Sequence, residues 1–227
     1  MHADYYLNTL YPLQDKVLDI VSSIKNRFYL TGGTALSRAY LNHRYSDDLD
    51  FFVNNDDSYK EQVERILASI ESSGLKFEEA DMHESFSRIF VVKESSSLKI
   101  DFVNDVGHRV GVPEKTSFFV RTDSMRNILS NKLTALGRLE AKDVVDILFI
   151  SLNLSFNWKE LFAEAKQKDS WVNPIDTATI LEQFPSEKLD TIIWASNKPD
   201  PEWFRQQLDK LIHNLIRGED NSLGADS

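Results

Sequence analysis

The sequence predicts an α+β fold, in which a mixed β-sheet with flanking helices is followed by an all-helical C-terminal half. Two observations support this prediction. As far as residue 122, short aromatic and β-branched runs alternate with segments whose apolar residues recur at helical spacing. From residue 124 onward, almost every segment has helical spacing alone. Such a change along the chain is typical of an α+β region joined to a helical region.

In the first half, spacing and turn residues place each element. The run at residues 28–31 reads as a buried strand, and the Gly32-Gly33 pair ends it because glycine turns sharply without a Cβ clash. In order, the patterns predict helices at 13–24, 34–41 and 57–72 and strands at 28–31, 49–53, 75–79, 86–93 and 98–103, with a hairpin turn at 94–97 and a further strand candidate at 117–121.

In the second half, apolar residues at helical spacing predict helices at 124–136, 141–152, 158–166, 174–183 and 202–216. The four tryptophans, Trp158, Trp171, Trp194 and Trp203, are expected to belong to the core of this region. We therefore predict one domain at 1–122, a helical domain at 123–217 and a polar, disordered tail at 218–227.

Composition excludes several classes of protein. The chain of 227 residues has no cysteine, which excludes disulfides, thiol catalysis and cysteine-based zinc sites. It has no apolar run long enough to span a bilayer and no basic-then-apolar leader at its start, so we expect a cytoplasmic protein. The net charge of −10 argues against nonspecific binding of nucleic acid by the whole surface, although a local basic groove remains compatible with it.

The turn at Gly32-Gly33 is a candidate phosphate site. A glycine-rich turn that leads into a helix N-terminus presents free backbone N–H groups, and the helix dipole also favours an anion there. Thr34, the first residue of the predicted helix, supplies a hydroxyl at the same place. A Gly-Gly pair alone is usually only a turn, so this reading depends on what lies beside it.

Three aspartates supply candidate metal ligands. Asp48 and Asp50 are two residues apart at a predicted strand, so their side chains project from the same face. Asp101 lies in the otherwise apolar strand at 98–103, on the face of Lys99 and Val103. If these strands are neighbours, the carboxylates converge and can hold divalent cations such as Mg²⁺. Alternatively, Asp101 is a charge that protects a sheet edge.

Other common sites do not fit this pattern. The sequence has no Walker motif, and Phe52 stands where an EF-hand would need a ligand. The order strand, Gly-Gly turn, helix, Asp-x-Asp strand and later Asp strand is more specific than any of its parts. A phosphate site beside metal-binding carboxylates indicates chemistry on a nucleoside triphosphate.

These residues resemble the nucleotidyltransferase superfamily of the polymerase-β type. More narrowly, GGTAL at Gly32–Leu36 and HRYSDDLDFF at His43–Phe52 resemble the AbiEii/AbiGii toxin family of bacterial toxin–antitoxin and abortive-infection systems. KLTALGR at Lys132–Arg138 and KDVVD at Lys142–Asp146 resemble a second block of that family. The resemblance implies that residues 1–122 form a nucleotidyltransferase-type catalytic domain.

The resemblance implies roles for particular residues. Asp48, Asp50 and Asp101 would be catalytic and would hold two Mg²⁺ ions, with Mn²⁺ as an alternative, and Asp101 could also act as a base. The NTP co-substrate would contact Gly32, Gly33 and Thr34 on one side and Lys132, Lys142 and Asp143 on the other. From its chemistry alone, Lys132 is as well explained by a solvated lysine. Lys142 and Asp143 could equally join Arg138 and Asp146 in a structural ion-pair network.

The sequence leaves the acceptor of the nucleotide open. The resemblance implies transfer of NMP to tRNA and a cognate antitoxin as partner. A small-molecule nucleotidyltransferase, for example one that modifies aminoglycosides, is the first alternative, because an acidic cleft would favour a cationic acceptor. A protein acceptor is a further alternative. The last is a catalytically silent module that binds a nucleotide and regulates another process.

Overall fold

The computed structural model of the chain describes residues 2–93 and 96–224. Glu94 and Ser95 of the predicted hairpin turn and residues 225–227 of the predicted tail lie outside the described residues. The chain forms two compact units. The first comprises Met1–Tyr40, Tyr45–Gly107 and Val112–Asp123, and the second comprises Leu41–Arg44, His108–Gly111 and Ser124–Ser227. Two short segments of the first half, 41–44 and 108–111, thus belong to the second unit.

The first unit contains a five-stranded mixed sheet. Its strands are β1 (Tyr29–Thr31), β2 (Leu49–Asn54), β3 (Lys76–Met82), β4 (Phe86–Lys93) and β5 (Ser96–Asp105), in the spatial order β1-β2-β5-β4-β3. β2 and β5 pair in parallel, and the other neighbours are antiparallel. The mixed sheet and the helical second half confirm the predicted fold class.

One face of this sheet is buried and the other is partly open. Leu49, Phe51, Ile100 and Phe102 alternate along β2 and β5 and are fully buried. The helix α4 (Tyr59–Ser72) closes over this core, where the Tyr59 hydroxyl donates to the Phe102 carbonyl at 3.0 Å. The alternate residues of β2 and β5 therefore project from the opposite face.

The remaining helices of the first unit lie near its N-terminus and after β1. They are α1 (His2–Tyr5), a π-helical stretch at Tyr6–Leu10, α2 (Tyr11–Ser23), α3 (Gly32–Ala35) and a π-helical stretch at Leu36–Leu41. The sequence did not predict the helical turns before residue 11. In that segment Tyr6 and Leu10 are buried, and two apolar positions four residues apart are too few to reveal a helical stripe.

The predicted strand at 117–121 is wrong. The Thr116 hydroxyl accepts hydrogen bonds from the backbone amides of Phe118 and Phe119, which folds the segment into a turn. Such a local side-chain bond competes with an extended strand. The chain meets β1 just after this turn, through an isolated parallel bridge between Thr122 and Leu30.

The second unit is helical. It contains α5 (Met125–Ala135), α6 (Ala141–Ser151), α7 (Trp158–Lys166), α8 (Pro174–Glu182) and α9 (Pro201–Arg217), with 3₁₀ turns at Leu136–Arg138 and Ser186–Thr191. Side chains at 124, 157, 173 and 200 cap four of these helices. Trp158 is fully buried as predicted, whereas Trp171 is 87% exposed and does not belong to the core.

The predicted disordered tail is packed as far as the structure describes it. The Asn221 side chain donates to the carbonyls of Ser151 and Leu154 at 2.6 and 2.8 Å, and its backbone amide donates to Phe156. These bonds occupy carbonyls at the last residue of α6 and in the segment that follows it, which a polar composition does not reveal. No helix in residues 2–93 or 96–224 has the length and apolar character needed to cross a bilayer.

Candidate active site

The Gly32-Gly33 turn brings an aspartate against the backbone. Thr31 is extended at the end of β1, and Gly32 then takes a positive φ of 71° as α3 begins. The helix therefore begins at Gly32, two residues before the predicted Thr34. A Cβ on Gly32 would lie 2.1 Å from Oδ2 of Asp50, so only glycine allows Asp50 to approach this closely.

Thr34 fixes the backbone at Asp48, the metal-ligand candidate just before β2. Its buried hydroxyl donates to the backbone carbonyl of Asp48 at 2.5 Å. This bond uses the one hydroxyl proton of Thr34. The predicted contact of Thr34 with the nucleotide stays a prediction. The backbone amides of the Gly32-Gly33 turn remain candidates to donate hydrogen bonds to phosphate oxygens.

Polar side chains form a row across the sheet. In register, Thr31 of β1 pairs with Asp50 of β2, Asp50 pairs with Asp101 of β5, and Asp101 pairs with Arg88 of β4. The predicted proximity of the strands that carry Asp50 and Asp101 is therefore present. Because side chains directly opposite one another on adjacent strands share a face, the row lies on the open side of the sheet.

Two cations accompany these carboxylates. Arg88 donates to both oxygens of Asp101, at 2.7 and 2.8 Å. The Lys99 ammonium lies 2.7 Å from Oδ2 of Asp48 and 3.7 Å from Oδ2 of Asp101. The hydrogen bond to Asp101 raises the pKa of Arg88. Burial alone would lower the pKa of Lys99, but the charge and hydrogen bond of Asp48, together with the charges of Asp101 and Asp50, raise it.

The donor set fits divalent cations. Within the described residues, no three acidic or histidine side chains already form a cluster that could hold a metal ion. However, Asp48 and Asp101 share one cationic nitrogen, that of Lys99, so their oxygens already face a common positive charge. Carboxylate oxygens are also the ligands that Mg²⁺ prefers. Asp48, Asp50 and Asp101 are therefore the candidates to hold such an ion.

The second unit contains a buried ionic cluster. Lys132 of α5 lies 2.7 Å from Asp143 and 2.6 Å from Asp146 of α6. Arg44 donates two bonds of 2.7 Å to Asp146, and His43 Nε2 lies 2.8 Å from the same carboxylate. Arg138 reaches Asp143 at 2.9 Å. This cluster is the ion-pair network considered for Arg138 and Asp146, here extended by His43 and Arg44.

Burial and the charges within this cluster shift the pKa values of Asp146 and His43. Burial alone would raise the pKa of Asp146, but Arg44 and Lys132 hold it well below its usual value. Burial lowers the pKa of His43, and Asp146 only partly offsets this effect. A neutral His43 that donates from Nε2 leaves Nδ1 as an acceptor, and that buried atom has no hydrogen-bond partner among the residues described.

The structure divides the predicted site residues between the two units. Gly32, Gly33, Thr34, Asp48, Asp50 and Asp101 lie in the first unit, and Lys132, Lys142 and Asp143 lie in the second. Lys132 is only 7% exposed and is ion-paired within its own unit, so its expected contact with the triphosphate stays a prediction.

Sequence reasoning missed Arg88 and Lys99. Alternation places Lys99 on the face of Asp101, two residues before it in the strand, and this position is the signal that could have identified Lys99. Arg88 lies between Phe86 and Phe90 in alternation, which marks the polar face of β4 but not its partner. The pairing of β4 with β5 is what brings Arg88 to Asp101.

Comparison with known proteins decides the family. The family model described as "Nucleotidyl transferase AbiEii toxin, Type IV TA system" matches residues 17–220. The chain belongs to the AbiEii family. It is therefore a nucleotidyltransferase by family, as the sequence predicted. No curated protein matches the chain.

Solved structures support the fold of this AbiEii-family protein. It is similar to JHP933 from Helicobacter pylori, with 21% identity, a TM-score of 0.58 and 93% of each chain covered. It is also similar to an H. pylori protein provisionally assigned as a nucleotidyltransferase, with 22% identity and a TM-score of 0.56 over 90% of this chain and 96% of that one. At this identity the likeness shows the fold.

Proposed function

We propose that this AbiEii-family protein transfers NMP from an NTP to tRNA in an Mg²⁺-dependent reaction and acts as the toxin of a toxin–antitoxin system. The observation that carries the proposal is the row of Asp50 and Asp101 on paired strands, with Asp50 against the glycine of the turn. Its family supports the toxin role and a cognate antitoxin as partner.

In this proposal the residues have distinct tasks. Asp48, Asp50 and Asp101 hold the divalent ions, Mg²⁺ or alternatively Mn²⁺, which supply positive charge to the triphosphate when bound. Backbone amides of Gly33 and Thr34 bind phosphate oxygens. Arg88 fixes the plane of Asp101, and the Thr34 hydroxyl fixes the backbone at Asp48. The contacts of Lys132, Lys142 and Asp143 with the nucleotide stay predictions, since Lys132 and Asp143 are ion-paired to each other in the second unit.

The reaction itself is a displacement at the α-phosphorus. A hydroxyl oxygen of the acceptor bonds to that phosphorus, and the bond to the β-phosphate oxygen breaks to release pyrophosphate. Because Arg88 donates to both oxygens of Asp101, we assign Asp101 to holding the ion and not to taking the hydroxyl proton. That proton passes to water.

The test uses purified protein, Mg²⁺, total tRNA and each NTP labelled at the α-phosphate. We expect label in tRNA, with none from Asp48→Asn, because that change removes a charge needed to hold the ion. Asp57→Asn is the matched control, since Asp57 is exposed just before α4. Equal labelling by Asp48→Asn and the parent protein would contradict the proposal, and absence of label anywhere would favour an inert nucleotide-binding module.

One observation favours a second acceptor class. The edge strand β3, which pairs with β4, exposes Glu78, Glu79 and Asp81, and Asp81 is in register with Arg88. An acidic margin beside the row would favour a cationic small molecule over an anionic RNA. Adding an aminoglycoside to the same labelling reaction separates the two, because label then appears on the small molecule instead of tRNA. Label on the protein itself would indicate a protein acceptor.

A further inference from the structure

Lys99 occupies the position of a counter-ion within the candidate metal site. Its ammonium lies 2.7 Å from one oxygen of Asp48 and 3.7 Å from one oxygen of Asp101. These are two of the three carboxylates that we propose as metal ligands. The Lys99 ammonium and a divalent ion would therefore bind the same oxygens of Asp48 and Asp101.

The strand register explains why Lys99 lies there. Leu49 pairs with Ile100 and Asp50 with Asp101, so Lys99 stands one position before the first of these pairs, beside Asp48. Lys99 also shares a face with Asp101, two residues along β5. The ammonium is thus held at the carboxylates by the backbone of the sheet and is not a distant surface charge that reaches in.

We propose that Lys99 competes with the divalent ion for Asp48 and Asp101 and, once displaced, pairs with a phosphate of the incoming nucleotide. This inference rests on the proposed function and adds to it a residue that links ion binding to nucleotide binding. Lys99 is the counter-ion of Asp48 and Asp101 before the divalent ion binds and a phosphate-binding residue afterwards.

The balance of charge supports the second half of the proposal. Asp48 and Asp101 are neutralised by Lys99 and Arg88, and Asp50 lies beside Asp101 in the register. When a divalent ion takes the carboxylate oxygens, the Lys99 ammonium loses its partner and needs another anion. The triphosphate is the anion that the reaction brings to this face.

Lys99 is better suited to this exchange than Arg88. Arg88 makes two bonds to both oxygens of Asp101, a bidentate contact that holds the guanidinium in place. Lys99 makes point-charge contacts from a flexible stem, and a third of its side chain is exposed, at 33%. Its ammonium can therefore move while its backbone stays in β5.

The experiment measures ion and nucleotide binding separately in Lys99→Met, which keeps an unbranched apolar stem without the charge. Binding of Mn²⁺ without nucleotide is followed by electron paramagnetic resonance. We expect the dissociation constant for Mn²⁺ to fall about fivefold, the scale of a partly exposed ion pair. Binding of the four α,β-methylene NTP analogues with Ca²⁺ present is followed by calorimetry, and we expect it to weaken about fivefold.

In Lys99→Met, tighter binding of Mn²⁺ together with weaker binding of the nucleotide distinguishes the proposal from a purely structural role of Lys99. Lys99→Arg keeps the charge, so its Mn²⁺ affinity should stay near that of the parent protein. Lys76→Met, exposed on β3, is the control that removes a lysine away from the row and should change neither constant. Circular dichroism checks that each variant is folded.

Two results would overturn the inference, and they differ in what else they affect. If the parent protein binds Mn²⁺ and Lys99→Met binds it equally or more weakly, Lys99 does not compete, and the proposed function is unaffected. If neither protein binds Mn²⁺ more tightly than Asp48→Asn does, the metal site itself is absent, and the proposed function fails with the inference.

Discussion

At the residue scale, the contact of Asp50 with Gly32 shows how one side chain depends on the backbone beside it. Gly32 has a positive φ, and its missing Cβ leaves the space that Oδ2 of Asp50 occupies. The glycine thus has two functions, the turn of the chain and the placement of a carboxylate.

Gly32→Ala is expected to slow nucleotidyl transfer by about a hundredfold. The new Cβ would lie 2.1 Å from Asp50 Oδ2 and force that carboxylate to move. A displacement of about 1 Å in a reacting group costs on the order of a hundredfold in rate. The rate of labelling under saturating NTP is the measurement, with the free energy of unfolding determined in parallel.

Gly74→Ala is the matched control for this prediction. Gly74 has a similar positive φ of 81°, but nothing lies within 4 Å of its Cβ position. It should carry the same backbone strain, about 1–2 kcal/mol, without loss of transfer. If both variants lose activity equally, strain and not the displaced carboxylate explains the effect.

The sequence predicted the carboxylates better than their partners. Asp48, Asp50 and Asp101 stand out because charge is rare in apolar strands, whereas Arg88 and Lys99 resemble ordinary polar positions of half-exposed strands. Their role depends on which strands are neighbours. That information comes from the sheet order, which alternation along one strand does not contain.

At the element scale, elements with strong periodicity were predicted well, whereas segments shaped by local side-chain hydrogen bonds were not. The predicted strand at 86–93 and helix at 158–166 agree with β4 and α7. The strand at 117–121 failed because the Thr116 hydroxyl folds it into a turn. The predicted disorder of the tail is not seen at Asn221, because its side chain donates to a carbonyl that is distant in sequence.

Asn221→Ala is expected to destabilise the second unit. The change leaves the carbonyls of Ser151 and Leu154 without this donor, and Asn221 is only 7% exposed. Loss of buried hydrogen-bond partners costs about 1–3 kcal/mol. Urea unfolding followed by circular dichroism gives the free energy.

The control for Asn221 is Asn153→Ala. Asn153 also donates to a backbone carbonyl, that of Phe149 at 2.8 Å, but its side chain is exposed. Its replacement should change the free energy of unfolding by less than about 0.5 kcal/mol. An equally small effect of Asn221→Ala would show that the packed tail adds no stability.

At the scale of the whole molecule, the two units differ in how they hold charge. The first unit keeps its carboxylates on the partly open face of a sheet, while the second buries Asp143 and Asp146 completely against Lys132 and Arg44. Buried ion pairs tolerate no loss of one partner, because the other then stays charged without compensation. The stability of the second unit should therefore fall more in acid than that of the first unit.

We expect the stability of the second unit to fall as the pH drops below about 6.5. His43 has a lowered pKa in the folded state, so below its ordinary value the unfolded chain takes up a proton that the folded protein does not. The lost stability approaches about 1.4 kcal/mol per pH unit, the value for one proton. The depressed pKa of Asp146 adds its own loss only below its ordinary value of 3.8.

Hydrogen exchange of the α6 amides between about pH 7 and pH 5, corrected for intrinsic exchange rates, measures this dependence. His43→Gln, which retains a hydrogen-bond donor but does not titrate in this range, should flatten it. His213→Gln, exposed on α9, should leave it unchanged. A slope that survives in His43→Gln would assign the pH dependence to other groups.

The division of the chain into interleaved segments also affects how the protein is made. Leu41–Arg44 belongs to the unit whose helices begin after Ser124, and Arg44 and its partner Asp146 are 102 residues apart in the chain. During synthesis, His43 and Arg44 leave the ribosome long before α6 exists to receive them. A nascent chain that stops near residue 123 therefore lacks the carboxylate on which both side chains depend. A segment that is translated later thus completes a cluster that His43 and Arg44 begin.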